Sequence, residues 1–137
     1  MSQETHKASA KKILDYISAG KFDKTAFSAD FEAWSSASGA IPGESYLQRA
    51  GGLVAAFSDG PHFTVLDITA EDNRVAMRVH GHGKVITGKD YVNDYCFVVY
   101  FDKQGNIHRI YEYMNVNAVV EVLRPAFEEL AKRAQQG

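Results

Sequence analysis

The chain has 137 residues and a formal charge of −2, from fifteen Lys and Arg against seventeen Asp and Glu. At about 150 residues per domain this allows a single domain, 1–137, and a hydrophobic content of 45% with 23% charged residues excludes wholesale disorder. The near-neutral charge argues against nucleic acid as a partner, no apolar run approaches the ~18 residues of a membrane span, and the lone Cys96 points to the reducing cytoplasm. In chain order, Ala10, Ile13, Leu14 and Ile17 recur at helical spacing, with Gly20 placed as a cap. Phe22, Ala26 and Phe27 suggest a short second helix, and Asp30 to Ser35 a first strand. Ser36 to Gly43, small and broken by Pro42, reads as a loop. Tyr46, Ala50, Leu53, Val54 and Phe57 define a third helix, closed by Ser58-Asp59-Gly60-Pro61. Strands follow from Phe63, from Val75 to Val79 running into His80-Gly81-His82-Gly83, from Tyr91 to Phe101, and from Ile107 to Met114. A closing helix from about Asn117 is expected to kink at Pro125.

Helices first, strands next and one helix last make an α+β domain, with a curved mixed or antiparallel sheet wrapped around the amino-terminal helices. Such a cone-shaped barrel has a mouth, where a small molecule would bind. On the Tyr91 strand, Tyr91, Asn93, Tyr95, Phe97 and Val99 share one face, and Val92, Asp94, Cys96, Val98 and Tyr100 the other. Both faces are largely apolar. In so short a chain this points to a homodimer packed through the outer sheet face.

On the last strand His108, Ile110, Glu112 and Met114 share a face, opposite Arg109, Tyr111 and Tyr113. Glu112 is thus a carboxylate inside an aromatic strand pair, where a dry environment would raise its pKa and suit it to acid or base catalysis. An ion pair with Arg109 or Arg78 is the structural alternative. His80 and His82, two apart, project from one strand face and could supply a second proton carrier. A metal site of His80, His82 and Glu112 is disfavoured, because His-x-His is a weak signal and its third ligand must come from another strand. Trp34 and Phe97 would give apolar walls, with Met114 beside Glu112, while Asn93 and Tyr95 would orient a ligand by hydrogen bonds. No phosphate loop or nucleophile elbow is present, and the chemistry needs no cofactor.

Gly83-Lys84, Tyr91-Val92-Asn93-Asp94-Tyr95, Phe101 to Ile107 and Tyr111-Glu112-Tyr113-Met114-Asn115 together resemble the SnoaL-like branch of the nuclear-transport-factor-like superfamily. The pattern from about Gly81 to Asn117 is similar to that of the phenazine-biosynthesis cone-fold proteins. The resemblance implies an α+β cone, a dimer through the outer sheet face, a ligand pocket under the helices, and Glu112 as its acid/base. It also disfavours steroid isomerisation by the ketosteroid isomerase arrangement. Phe97 stands where those enzymes place an oxyanion-hole acid, and Trp34 or Ser35 where they place the base. The expected reaction is an isomerase, dehydratase or cyclase step on a small, largely apolar or cyclic substrate, with a non-catalytic binding or dimerising module as the alternative.

Overall fold

The computed structural model describes residues 2–136. Helix α1 (Gln3–Ala19) starts at Ser2, whose hydroxyl accepts from the Thr5 amide at 3.1 Å, and ends at Gly20, which takes the left-handed φ of 74°. Its buried stripe is His6, Ala10, Ile13, Leu14 and Ile17. The short helix expected around Phe22 to Phe27 is one turn of 3₁₀ helix, Lys24–Ala26, and Phe27 already belongs to strand β1 (Phe27–Ser35). The expected loop at Ser36 to Gly43 contains strand β2 (Gly39–Pro42), which turns back on β1 in antiparallel register. Helix α2 (Gly43–Gly52) runs into a 3₁₀ turn, Leu53–Ala56, so Phe57 opens strand β3 (Phe57–Glu71) instead of ending a helix. Ser58 to Pro61 lies within β3, where the ladder to the next strand shifts register twice. An edge strand tolerates a proline there because the missing N–H is needed by no neighbour.

Strands β4 (Arg74–Val85), β5 (Asp90–Phe101) and β6 (Ile107–Met114) follow the expected boundaries closely. Asp102 shapes the last hairpin by accepting from the amides of Gln104 and Asn106 at 3.0 and 2.9 Å. The six strands form one sheet of order β2-β1-β6-β5-β4-β3. Only the β1–β6 pair is parallel. The expected α+β class with a mixed sheet is what the chain forms, but the sheet stays open: β2 and β3 are its two edges, and no barrel closes.

The closing segment is helical throughout but not uniformly α. A short α3 (Val116–Ala118), capped by the Asn115 side chain, passes through a π turn at Val119–Leu123 into α4 (Arg124–Gln136). Pro125 sits at the start of α4 and lacks the N–H for the preceding turn, which accounts for the widened helix there. Helices α1 and α2 and the closing segment cover one face of the sheet. The core between them is built from Val75, Met77, Val79, Phe97, Val99 and Ile110 below and the α1 stripe above. On β6 a register break at its start puts Ile107, not His108, in the core with Ile110; His108 turns toward Ser28 and Asp30. No helix among the described residues is long and apolar enough to cross a membrane.

Candidate active site

Strand alternation decides where Glu112 points. It pairs with Ser35 of β1 and Phe97 of β5, and its side chain projects to the face under the helices. Its backbone is pinned: the Ser36 amide donates to the Glu112 carbonyl at 2.9 Å, and the Met114 amide to the Ser36 hydroxyl at 3.0 Å. From the other side Tyr46, on the inner stripe of α2, donates its hydroxyl to Glu112 Oε1. The Tyr46 ring is held edge-on by Phe31 and Phe22, with centroids 5.7 and 6.1 Å away. The sequence alternative for Glu112 fails, since Arg109 instead reaches Glu32 at 3.4 Å and the Asp30 carbonyl at 2.8 Å, and Arg78 is exposed.

Burial raises the Glu112 pKa from 4.5 to about 7, against the smaller opposing effect of the Tyr46 hydrogen bond. Burial, and then the negative charge of Glu112, hold the Tyr46 phenol well above 10. The carboxyl is therefore close to evenly divided between acid and base at neutral pH.

The cavity that Glu112 faces measures ≈ 530 Å³, within the roughly 300–1,000 Å³ of small-molecule sites. Trp34, Tyr95, Phe97 and Met114 all line it. Most of the helical wall is apolar, with Ile17 from α1, Leu53 after α2, then Val119, Leu123 and Phe127 from the closing segment, while α2 adds Tyr46, Gln48 and Arg49. Trp34 also packs on Tyr113, centroid to centroid 5.0 Å.

Asn93 is buried but does not line this cavity. Its amide is fully engaged: Nδ2 donates to the Tyr91 hydroxyl at 2.9 Å and the Asn115 carbonyl at 3.0 Å, and Oδ1 accepts from the Asn115 amide at 2.9 Å. Its contact with a ligand is therefore indirect, through Tyr91. Tyr91, itself 1% exposed, meets the Tyr95 hydroxyl at 2.5 Å. Either hydroxyl can be the donor in this pair, and Asn93 donates to the Tyr91 oxygen from the other side. Both tyrosines line the cavity.

His80 and His82 are not brought to Glu112. They project from the opposite face of β4, outside the cavity lining. His80 Nδ1 lies 2.8 Å from Asp94, and the His82 ring lies 5.2 Å from that of His62 across the β3–β4 ladder. The sequence carries a sign of this: the histidines share parity with Arg78, whereas Val75, Met77 and Val79 take the inner face. The disfavoured metal site has no geometry to support it, as no group of three or more His, Cys, Asp or Glu among the described residues is arranged to hold a metal ion. The residues missed from sequence are Tyr46, Tyr91 and Arg49. Helical spacing marks Tyr46 as a core position but cannot say that it reaches across to β6.

Residues 10–110 match the model of the SnoaL-like domain. The chain belongs to the SnoaL-like family. Solved structures of low sequence identity share its fold. AclR of Streptomyces galilaeus, described as a candidate hydroxylase, is 17% identical with a TM-score of 0.74 over 88% of this chain and 86% of its own. A SnoaL-like polyketide cyclase candidate from Jannaschia is 12% identical, TM-score 0.74, over 88% and 92%. An isomerase candidate from Bacillus subtilis is 19% identical, TM-score 0.74, over 90% and 96%. No curated protein matches the chain. The three are described as candidates for different activities, so the shared fold does not fix a reaction.

Proposed function

We propose that this SnoaL-like domain is an enzyme that moves a proton on a small, largely apolar and cyclic substrate, with Glu112 as the acid/base. The observation that carries the reading is the Glu112 carboxyl, lining a mostly apolar cavity and oriented by Tyr46, where burial raises its pKa to about 7. In its ionised form Glu112 removes a proton from a carbon next to a substrate carbonyl, and the resulting carboxylic acid returns it at another position. Tyr95 donates its cavity-facing hydroxyl to the oxygen on which negative charge develops, and Asn93 and Tyr91 hold that hydroxyl in place. Trp34, Phe97 and Met114 hold the ring of the substrate, and no cofactor is required. Isomerisation, dehydration and cyclisation all begin with this step.

A panel of cyclic ketones in D2O, followed by NMR, tests it without knowledge of the natural substrate. The expected result is protein-dependent exchange of α-protons for at least one ketone, lost in Glu112→Gln and reduced in Tyr95→Phe by about a hundredfold or more. Ketones that bind without exchanging would favour the alternative, a small-molecule carrier, to which the same apolar lining lends itself.

The reading extends to the assembly and its compartment. A second copy of the chain is proposed to cover the outer sheet face, where Leu66, Val92 and Tyr113 are 51%, 56% and 49% exposed. The lone thiol of Cys96 suits the cytoplasm.

A further inference from the structure

The chemistry above leaves one charged side chain of the cavity unused. Arg49 lies one turn beyond Tyr46 on the same stripe of α2, so its backbone sits about 4.5 Å further along the helix axis. It lines the cavity, is exposed at its mouth, and makes no ion pair among the described residues. Glu112 has Tyr46 as its side-chain hydrogen-bond partner. The neighbouring mouth hydroxyls are taken: Ser35 Oγ accepts from the amides of Ala37 and Ser38, and Ser38 Oγ donates to the Gly39 carbonyl at 2.9 Å. Among the described residues that line the cavity, Arg49 is the one cation and Glu112 the one acid.

Resting on the acid/base reading of this site, we propose that its substrates are amphipathic carboxylic acids, with Arg49 holding the carboxylate at the mouth and the apolar ring body lying inward against Phe97 and Leu123. A guanidinium presents two parallel N–H donors that match a carboxylate. A single positive charge balances a monoanion, and no second cation lines the site to balance a phosphate dianion. Anchoring at Arg49 fixes the orientation of the ligand: its charged end stays in water while its reacting carbon is brought toward Glu112 and Tyr95. Arg49 is in this account a specificity-determining residue.

The test is calorimetric titration of a matched pair, 2-naphthoic acid and 2-naphthamide, into the full chain and into Arg49→Gln, at a pH near 6.5. The wild-type protein is expected to bind the acid about tenfold or more tightly than the amide. In Arg49→Gln that preference disappears while the amide binds as before, which also shows that the variant keeps its cavity. Equal affinities in the wild type, or a preference for the acid that survives Arg49→Gln, would overturn the role of Arg49 and leave the acid/base reading standing. Failure of both probes to bind, together with no proton exchange from the cyclic ketones, would overturn both.

Discussion

At the scale of single residues, Glu112, the proposed acid/base, carries a cost in stability. Its pKa is raised on folding, from 4.5 to about 7, so the folded chain holds the proton more tightly than the unfolded one. The sign follows directly. Below about pH 4.5 the residue is neutral in both states and costs nothing; as pH rises to about 7 the unfolded chain ionises first and stability falls, and above 7 the loss is complete. At about 1.4 kcal/mol per pH unit the loss is up to about 3 kcal/mol. Glu112→Gln keeps an oxygen to accept from Tyr46 and removes the charge. It is expected to be more stable than the wild type by up to about 3 kcal/mol at pH 8, with the difference vanishing near pH 4. Urea denaturation of both proteins across that range checks it; an equal or lower stability of the variant at pH 8 contradicts the buried-carboxyl account.

At the scale of elements, the site depends on how closely α2 approaches β1. A Cβ on Gly43, the first residue of α2, would lie 2.3 Å from the Phe31 carbonyl oxygen and 2.7 Å from Phe31 Cδ2. Backbone cannot yield as a flexible side chain does, so Gly43→Ala must push the helix away from the strand and draw Tyr46 off Glu112. A loss of about 1–3 kcal/mol is expected in denaturation, with the Glu112 pKa moving above 7 as its hydrogen bond lengthens. Carboxyl titration by NMR reads the second effect, and a variant unchanged in both would refute the close-approach argument. This scale also shows what the sequence makes legible. Strands β4 and β5 alternate cleanly between the turns at Asp72 and Asp102, so their bounds and faces can be read directly, whereas the register break at the start of β6 hides which of its residues face the core there. Strand β2 cannot be read this way, because in Gly39 to Pro42 only Ile41 favours a strand and the segment pairs as β1 turns back on itself. The start of β3 is hidden by Gly60 and Pro61, turn residues that an edge strand accommodates. The contact of Tyr46 with Glu112 joins residues 66 positions apart and lies beyond any local pattern.

At the scale of the whole molecule, one sheet face is occupied by helices and the other is not. The uncovered face carries Val92, Val98, Tyr100 and Tyr111 along β5 and β6, beside the half-buried Cys96. If a second copy covers it, Val98→Glu should turn a dimer into a folded monomer, because a charge at the centre of an apolar interface loses its water without gaining a partner. Sedimentation velocity with far-UV circular dichroism reads both properties. A wild-type chain that sediments as a monomer at tens of micromolar would refute the dimer and leave the cavity untouched.

The two walls of the cavity are fastened differently. The floor around Glu112 is bound into the sheet on both sides, through Phe97 of β5 and through Ser35 and Ser36 at the end of β1. The roof of Val119, Leu123 and Phe127 rests on it by apolar packing, on a helix already interrupted by a π turn and a proline. Substitutions in the roof can thus reshape what enters while the proposed acid/base stays in register. A lineage built on this frame is free to change its diet without relearning its chemistry.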